Sequence, residues 1–249
     1  MAQQADPLKK RVEQLRGALK DRQPEQLALQ TNTSYQSGAD TYGNFLFPYW
    51  EEEVLLSTRD YMARYRTTKE VLITIHQAMI LFYFQDSKGS GTSKGWISFS
   101  ELPNGQFYTS AFQGYTSKKL LQHFQRDYTA FQQAAQNIHG KAVSFASIAY
   151  QVSILPKVSA LIACWKGDQD ISPSYRILFP DTVKYHLPTD ACAILGSMIT
   201  SKLIREQKPP ALKDSKKKKR EDTNYENSNQ WQRRRGQDNA GRLTGPDLR

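Results

Sequence analysis

Residues 148–165 read IAYQVSILPKVSALIACW, and the two halves of this stretch carry different hydrophobic patterns. In the first half Ile148, Tyr150, Val152 and Ile154 alternate with Ala149, Gln151 and Ser153. Successive side chains of a strand point to opposite faces, so this alternation predicts a strand with one face on a core. After Pro156 the stretch from Val158 to Trp165 is close to continuously apolar. That is the pattern of a central strand buried on both faces.

Outward from this pair, residues 175–179 supply a third strand and residues 96–101 a further one, with a short helical turn at SELP as its competitor. Asn104-Gly105 gives a tight-turn signal ahead of Phe107 and Tyr108. Residues 44–57 read as a strand pair in which Phe45 and Phe47 alternate with polar neighbours. Between these lies a helix that Thr67 and Glu70 would open with capping-box spacing and that runs to about Phe84. It is apolar almost all round, which predicts a central helix packed against a sheet. Two further helices are expected near 117–126 and 128–139, with Gly140 as the stop. Thr189 would cap a last helix whose Cys192, Leu195, Ile199 and Leu203 share one face. The fold class is therefore α+β: a mostly antiparallel sheet of about five strands, packed by the buried central helix and the C-terminal helix.

Asp6-Pro7 reads as an N-cap followed by proline at the first helical position, and Leu8, Val12, Leu15 and Leu19 then share a face. Pro24 restarts a shorter helix, and residues 31–43 read as a linker. Residues 1–43 are thus expected to be a helical arm and linker, 44–206 a single domain, and 207–249 a disordered basic tail. The formal charge is +10, and residues 205–249 hold 13 Lys and Arg against 7 Asp and Glu. The basic character therefore describes the tail more than the folded body. Mean hydropathy is −0.66. The greasiest stretch, 71–84, is 14 residues and carries His76 and Gln77. A bilayer span needs about 20 apolar residues, so no membrane-spanning segment is expected. Cys164 and Cys192 lack metal-ligand spacing and are expected to be buried free thiols in a reducing, cytoplasmic setting.

Several motifs then stand in a fixed order. Trp96-Ile-Ser-Phe-x-Glu-Leu-Pro-x-Gly105 precedes Phe107-Tyr108. The paired strands end in Trp165-x-Gly-Asp168, and Ile177-Leu-Phe is followed by Tyr185-x-Leu-Pro-Thr-Asp190 and a helix. In this order the chain resembles a prokaryotic family of domains of unknown function, found in anaerobic bacteria, methanogens and others, over about residues 45–204. Some relatives carry extra cysteine-rich segments resembling iron–sulfur ligands, and this chain has none, so the resemblance implies no cofactor. It carries no catalytic residues over.

Candidate chemistry is thin. GSGTSKG (89–95) follows a helix and precedes a strand, the reverse of a phosphate-cradling loop. Asp168, Asp170 and Asp181 could gather at the end of the central strand, where divalent cations bind in many folds. Glu101, beside Pro103 and Trp96, could have a raised pKa suited to proton transfer. His76, His123, His139 and His186 show no metal-ligand spacing. His76, inside the buried helix, must satisfy both ring nitrogens, and His186 is expected to be half exposed. In the tail, Lys216, Lys217, Lys218, Lys219 and Arg220, then Arg233, Arg234 and Arg235, flank Tyr225 and Trp231. Such a run can neutralise a few phosphates and stack on bases, giving weak RNA or DNA contact.

The expected function is that of a non-enzymatic binding or accessory protein, holding a protein partner or small ligand. Its cleft would be lined by Trp96, Phe107, Tyr108 and Trp165, with Glu101, Asp168 and Asp170 as polar contacts. The alternatives are nucleic-acid association through the tail, or an enzyme using Glu101, Asp168 or His186.

Overall fold

The computed structural model describes residues 6–38, 42–89 and 91–206. The predicted tail cluster, Lys216 to Arg220 and Arg233 to Arg235, lies outside the described residues. Two helices, α1 (Pro7–Leu19) and α2 (Pro24–Thr31), lead into a four-stranded antiparallel sheet of β1 (Ser34–Ser37), β2 (Gly43–Tyr49), β3 (Glu52–Ser57) and β4 (Ala63–Tyr65). Then come α3 (Thr74–Asp86), β5 (Trp96–Ile97), α4 (Thr109–Tyr115), α5 (Ser117–Phe124) and α6 (Tyr128–Asn137). The chain continues with β6 (Lys141–Ala142), β7 (Ile148–Leu155), β8 (Val158–Trp165), β9 (Ser174–Pro180) and α7 (Thr189–Glu206). Strands β5 to β9 form a second antiparallel sheet in the order β5-β9-β8-β7-β6. The architecture is α+β, with the expected five-stranded sheet joined by a second sheet that the sequence presented only as one strand pair.

The pattern of residues 148–165 translates directly. β8 is the middle strand of its sheet, and its two sets of side chains enter separate apolar clusters. Ala160, Ile162 and Cys164 join the main core with Tyr150, Val152 and Ile154 of β7 and Tyr175, Ile177 and Phe179 of β9. Leu161 and Ala163 face the other way, with Ala149 and Leu178, beneath Trp96 and Trp165.

The central helix α3 buries every residue from Gln77 to Phe84. Its buried amide is fully occupied: Gln77 Nε2 donates to Ala63 O (2.7 Å) and Leu72 O (3.1 Å), and Gln77 Oε1 accepts from Ala63 N (3.0 Å). The helix begins at Thr74, later than the Thr67/Glu70 spacing predicts, because residues 65–70 instead close a turn in which Lys69 has a φ of +62° and Tyr65 N donates to Glu70 O. A capping box does form, at Ser98 and Glu101, opening the 3₁₀ turn Phe99–Glu101. The helical competitor at SELP therefore replaces the predicted strand beyond Ile97. Asn104 has a φ of +61° and leads into a second 3₁₀ turn, Gly105–Tyr108, and then α4, so no hairpin forms there. Thr189 is the first residue of α7 and does not cap it; its hydroxyl donates to Pro103 O at 2.7 Å.

The N-terminal helices are part of the body. Val12, Leu15, Leu19 and Leu27 are buried in the same core as the sheets, and β1, inside the expected linker, pairs with β2. Among the described residues no helix is long and apolar enough to cross a membrane.

Candidate functional site

A cleft of about 380 Å³ opens where the β2–β3 turn, the start of α3 and the last turns of α7 meet. Residues Met198, Ser201, Lys202 and Arg205 line it from α7. Their spacing of three and four puts them on one helix face, beside the core face of Cys192, Leu195, Ile199 and Leu203. Tyr49, Trp50 and Glu52 come from the hairpin, Tyr65 from β4, and Ile75 and His76 from α3.

The hairpin turn is unusual in composition. Tyr49 pairs with Glu52, leaving Trp50 and Glu51 as a two-residue turn, and both have positive φ (+53° and +67°). Such turns favour Asn and Gly; a side chain in this region costs on the order of 1–2 kcal/mol. The strain is held by packing: Trp50 is 8% exposed, and its backbone N–H donates to Ile154 O at 3.0 Å. Strained turns of this kind cluster at functional sites.

At the floor of the cleft, the Tyr49 hydroxyl lies 2.6 Å from His76 Nδ1. Burial pushes the Tyr49 phenol far above its ordinary range. The Trp50 indole N–H is near enough to pull the other way, but it is itself buried without a partner of hydrogen-bond geometry. Burial, and after it the charges of Lys202 and Arg205, hold the His76 imidazole below its ordinary pKa. Lys202 Nζ sits 5.4 Å from the Trp50 ring centroid, while Arg205 Nε reaches Glu206 Oε1 at 3.4 Å on the exposed side.

The predicted site residues are distributed over other surfaces. Trp96 and Trp165 cover the outer face of the five-stranded sheet, where Arg176 lies 5.5 Å from the Trp165 ring. Phe107 and Tyr108 are 73% and 60% exposed and line a groove of about 490 Å³ with Lys184, Leu187 and Pro188. Glu101 is exposed, and its Oε2 accepts from both Ser98 Oγ and Ser98 N at 2.7 Å. Those two bonds lower its pKa, the reverse of the shift that proton transfer needs.

Asp168 Oδ1 accepts from Ile171 N (2.8 Å) and Asp170 N (3.0 Å), a turn-closing role that also lowers its pKa. Asp181 is occupied by Ser93 Oγ (2.7 Å) and Lys94 N (3.2 Å). Among the described residues no group of three His, Cys, Asp or Glu could hold a metal ion. His186, expected half exposed, is 1% exposed with Nδ1 3.2 Å from Ser87 Oγ. Glu101 and Asp168 are exposed and bonded within their own turns, whereas His186 is buried against Ser87. Of the residues the sequence singled out, only His76 lies in the cleft at α7. The remaining signal was the polar face at 198, 201, 202 and 205, which looks like an ordinary solvated helix face until the hairpin packs over it.

Neither the curated proteins nor the solved structures include a significant match to the chain. One family model, described as a domain of unknown function (DUF3786), matches residues 23–202.

Proposed function

The chain belongs to DUF3786, a family of domains of unknown function, and we propose that it is a binding protein that holds a small, partly apolar organic molecule in the cleft at α7. The observation that carries this reading is the convergence of aromatic walls and uncommitted polar groups around the Tyr49–His76 pair. Small-molecule sites have this character: concave, largely apolar, with a few placed polar groups. Lys202 makes no ion pair among the described residues, and His76 Nε2 has no protein partner there. The two free, buried cysteines support a cytoplasmic location.

The test is a thermal-shift screen of the full chain with small organic molecules, repeated on Ser201→Trp. Ser201 is an exposed position on the cleft-facing side of α7, so the indole would fill the cleft without entering the core. A ligand at 100 times its Kd adds about 2.7 kcal/mol to stability, a shift of several degrees. Binders should stabilise the wild type and lose their effect on Ser201→Trp. Equal shifts in both proteins, or none in either, would overturn the reading.

A second reading, a protein partner, is favoured by the exposed Phe107 and Tyr108, which share a groove with Lys184 and Leu187. Pull-down with wild type and with Phe107→Ser/Tyr108→Ser separates it from the first. Nucleic-acid association through Lys216 to Arg220 and Arg233 to Arg235 is tested by comparing RNA and DNA binding of the full chain with that of a chain ending at Gln207. Equal binding by both removes it.

A further inference from the structure

We propose that the ligand of this cleft is a monoanionic organic acid, its carboxylate received by the His76 Nε2–H together with Lys202 and Arg205. This assignment of ligand class rests on the reading of the cleft as a ligand site.

The tautomer of His76 is set by Tyr49. The Tyr49 hydroxyl is buried, and His76 Nδ1 is its one acceptor among the described residues. If Nδ1 carried the proton, the Tyr49 O–H would be buried without an acceptor, the costly arrangement for a polar group in a low-dielectric site. Tyr49 therefore donates to Nδ1, and the remaining ring proton resides on Nε2. Burial and the two neighbouring cations keep the ring neutral. His76 thus offers the cleft a donor and no lone pair.

The groups around His76 differ from element to element in what they leave free. Tyr49 of β2 is spent on Nδ1, and Tyr65 of β4 is held in its neutral form by burial. Glu52 of β3 is exposed at the rim. From α7 come two cations: Arg205 already meets Glu206 on the exposed side, and Lys202 makes no ion pair among the described residues. Donors from α3 and α7, with Lys202 a cation that no carboxylate has claimed, select a head that accepts hydrogen bonds and carries one negative charge. The Ile75, Met198 and Trp50 side chains supply the apolar wall for the rest of the molecule.

Two measurements on the full-length protein test this. Imidazole ¹⁵N NMR at pH 7 should report His76 as the neutral Nε2–H form, with Tyr49→Phe releasing it into a mixture; a wild-type Nδ1–H form would overturn the assignment. Calorimetric titration should then compare benzoate with benzamide and benzylamine, and hexanoate with hexanamide and hexylamine. The acids should bind about tenfold tighter than their amides, the amines not measurably. Lys202→Met and Arg205→Gln should each weaken acid binding about three- to tenfold while leaving amide binding unchanged. Amides binding as tightly as acids, or amines preferred, would overturn the carboxylate assignment and leave the cleft a ligand site. Failure of every acid, amide and amine to bind would overturn the assignment and the binding reading together.

Discussion

His186 follows the 3₁₀ turn Val183–Tyr185 and is buried against Tyr83 and Ser87, with ring centroids 6.1 Å apart in the first case. Burial, reinforced by Lys157, pulls its pKa down to about 4. An unfolded chain would protonate this imidazole near pH 6.5. Between those values the native state binds fewer protons than the unfolded state, so stability falls as pH falls. The contribution is complete above about pH 6.5 and is lost progressively towards pH 4, to a limit on the order of 3 kcal/mol. His76 acts in the same sense, whereas Asp86, whose pKa burial raises, acts in the opposite one. Urea unfolding at pH 7.5 and 4.5 should show the wild type losing about 2–3 kcal/mol more than His186→Gln across that interval. Equal losses in the two proteins would exclude His186 as the source of acid sensitivity.

Among the helices, two glycines make opposite predictions from the same substitution. Gly17 is exposed in the last turn of α1, and a methyl group there would meet nothing within 4 Å. Gly17→Ala should therefore gain the ordinary helix-propensity difference of about 0.5–1 kcal/mol. Gly196 lies where α7 crosses α4, and a Cβ there would sit 2.5 Å from the Phe112 ring, which is itself stacked on Phe99 with centroids 4.2 Å apart. Overpacking of about 1–3 kcal/mol exceeds the propensity gain, so Gly196→Ala should lower the denaturation midpoint while Gly17→Ala raises it. Two shifts of the same sign would refute the close crossing.

Such crossings are what the sequence left hidden. β7 and β8 were legible because alternation and apolar runs are local patterns. The apolar run of α3 was legible as a buried helix, but its start was not, since Thr67 and Glu70 match a capping box by spacing while the chain uses them in a turn. Glu101 and Asp168 looked available for chemistry although local signals, the Ser98–Glu101 capping-box spacing and Gly167 before Asp168, already point to the bonds that occupy them. The cleft draws on residues from Tyr49 to Arg205, and no short motif spans that distance.

At the scale of the whole molecule, the decisive question is whether residues 44–206, the unit that composition suggests, can fold alone. Val12, Leu15, Leu19 and Leu27 are each 4% exposed or less and belong to the common core. Burying four such side chains is worth about 6–12 kcal/mol at roughly 1.5–3 kcal/mol each. Two buried hydroxyls depend on the same segment: Tyr61 Oη donates to Leu19 O at 2.8 Å, and Tyr83 Oη to Thr31 O at 2.6 Å. Removing their acceptors adds about 1–3 kcal/mol apiece. Set against a typical total stability of about 5–15 kcal/mol, these losses leave little or no folded population. The family match itself begins at residue 23 and so takes in α2 but not α1, whose buried face nevertheless lies on α3. A chain of residues 44–206 should therefore lack a sharp near-ultraviolet circular dichroism spectrum and unfold without a cooperative urea transition, whereas a chain of residues 6–206 should show both. A cooperative transition in the shorter chain would mean that the four-stranded sheet and α3 close without the N-terminal helices, and that α1 and α2 cover a core already formed.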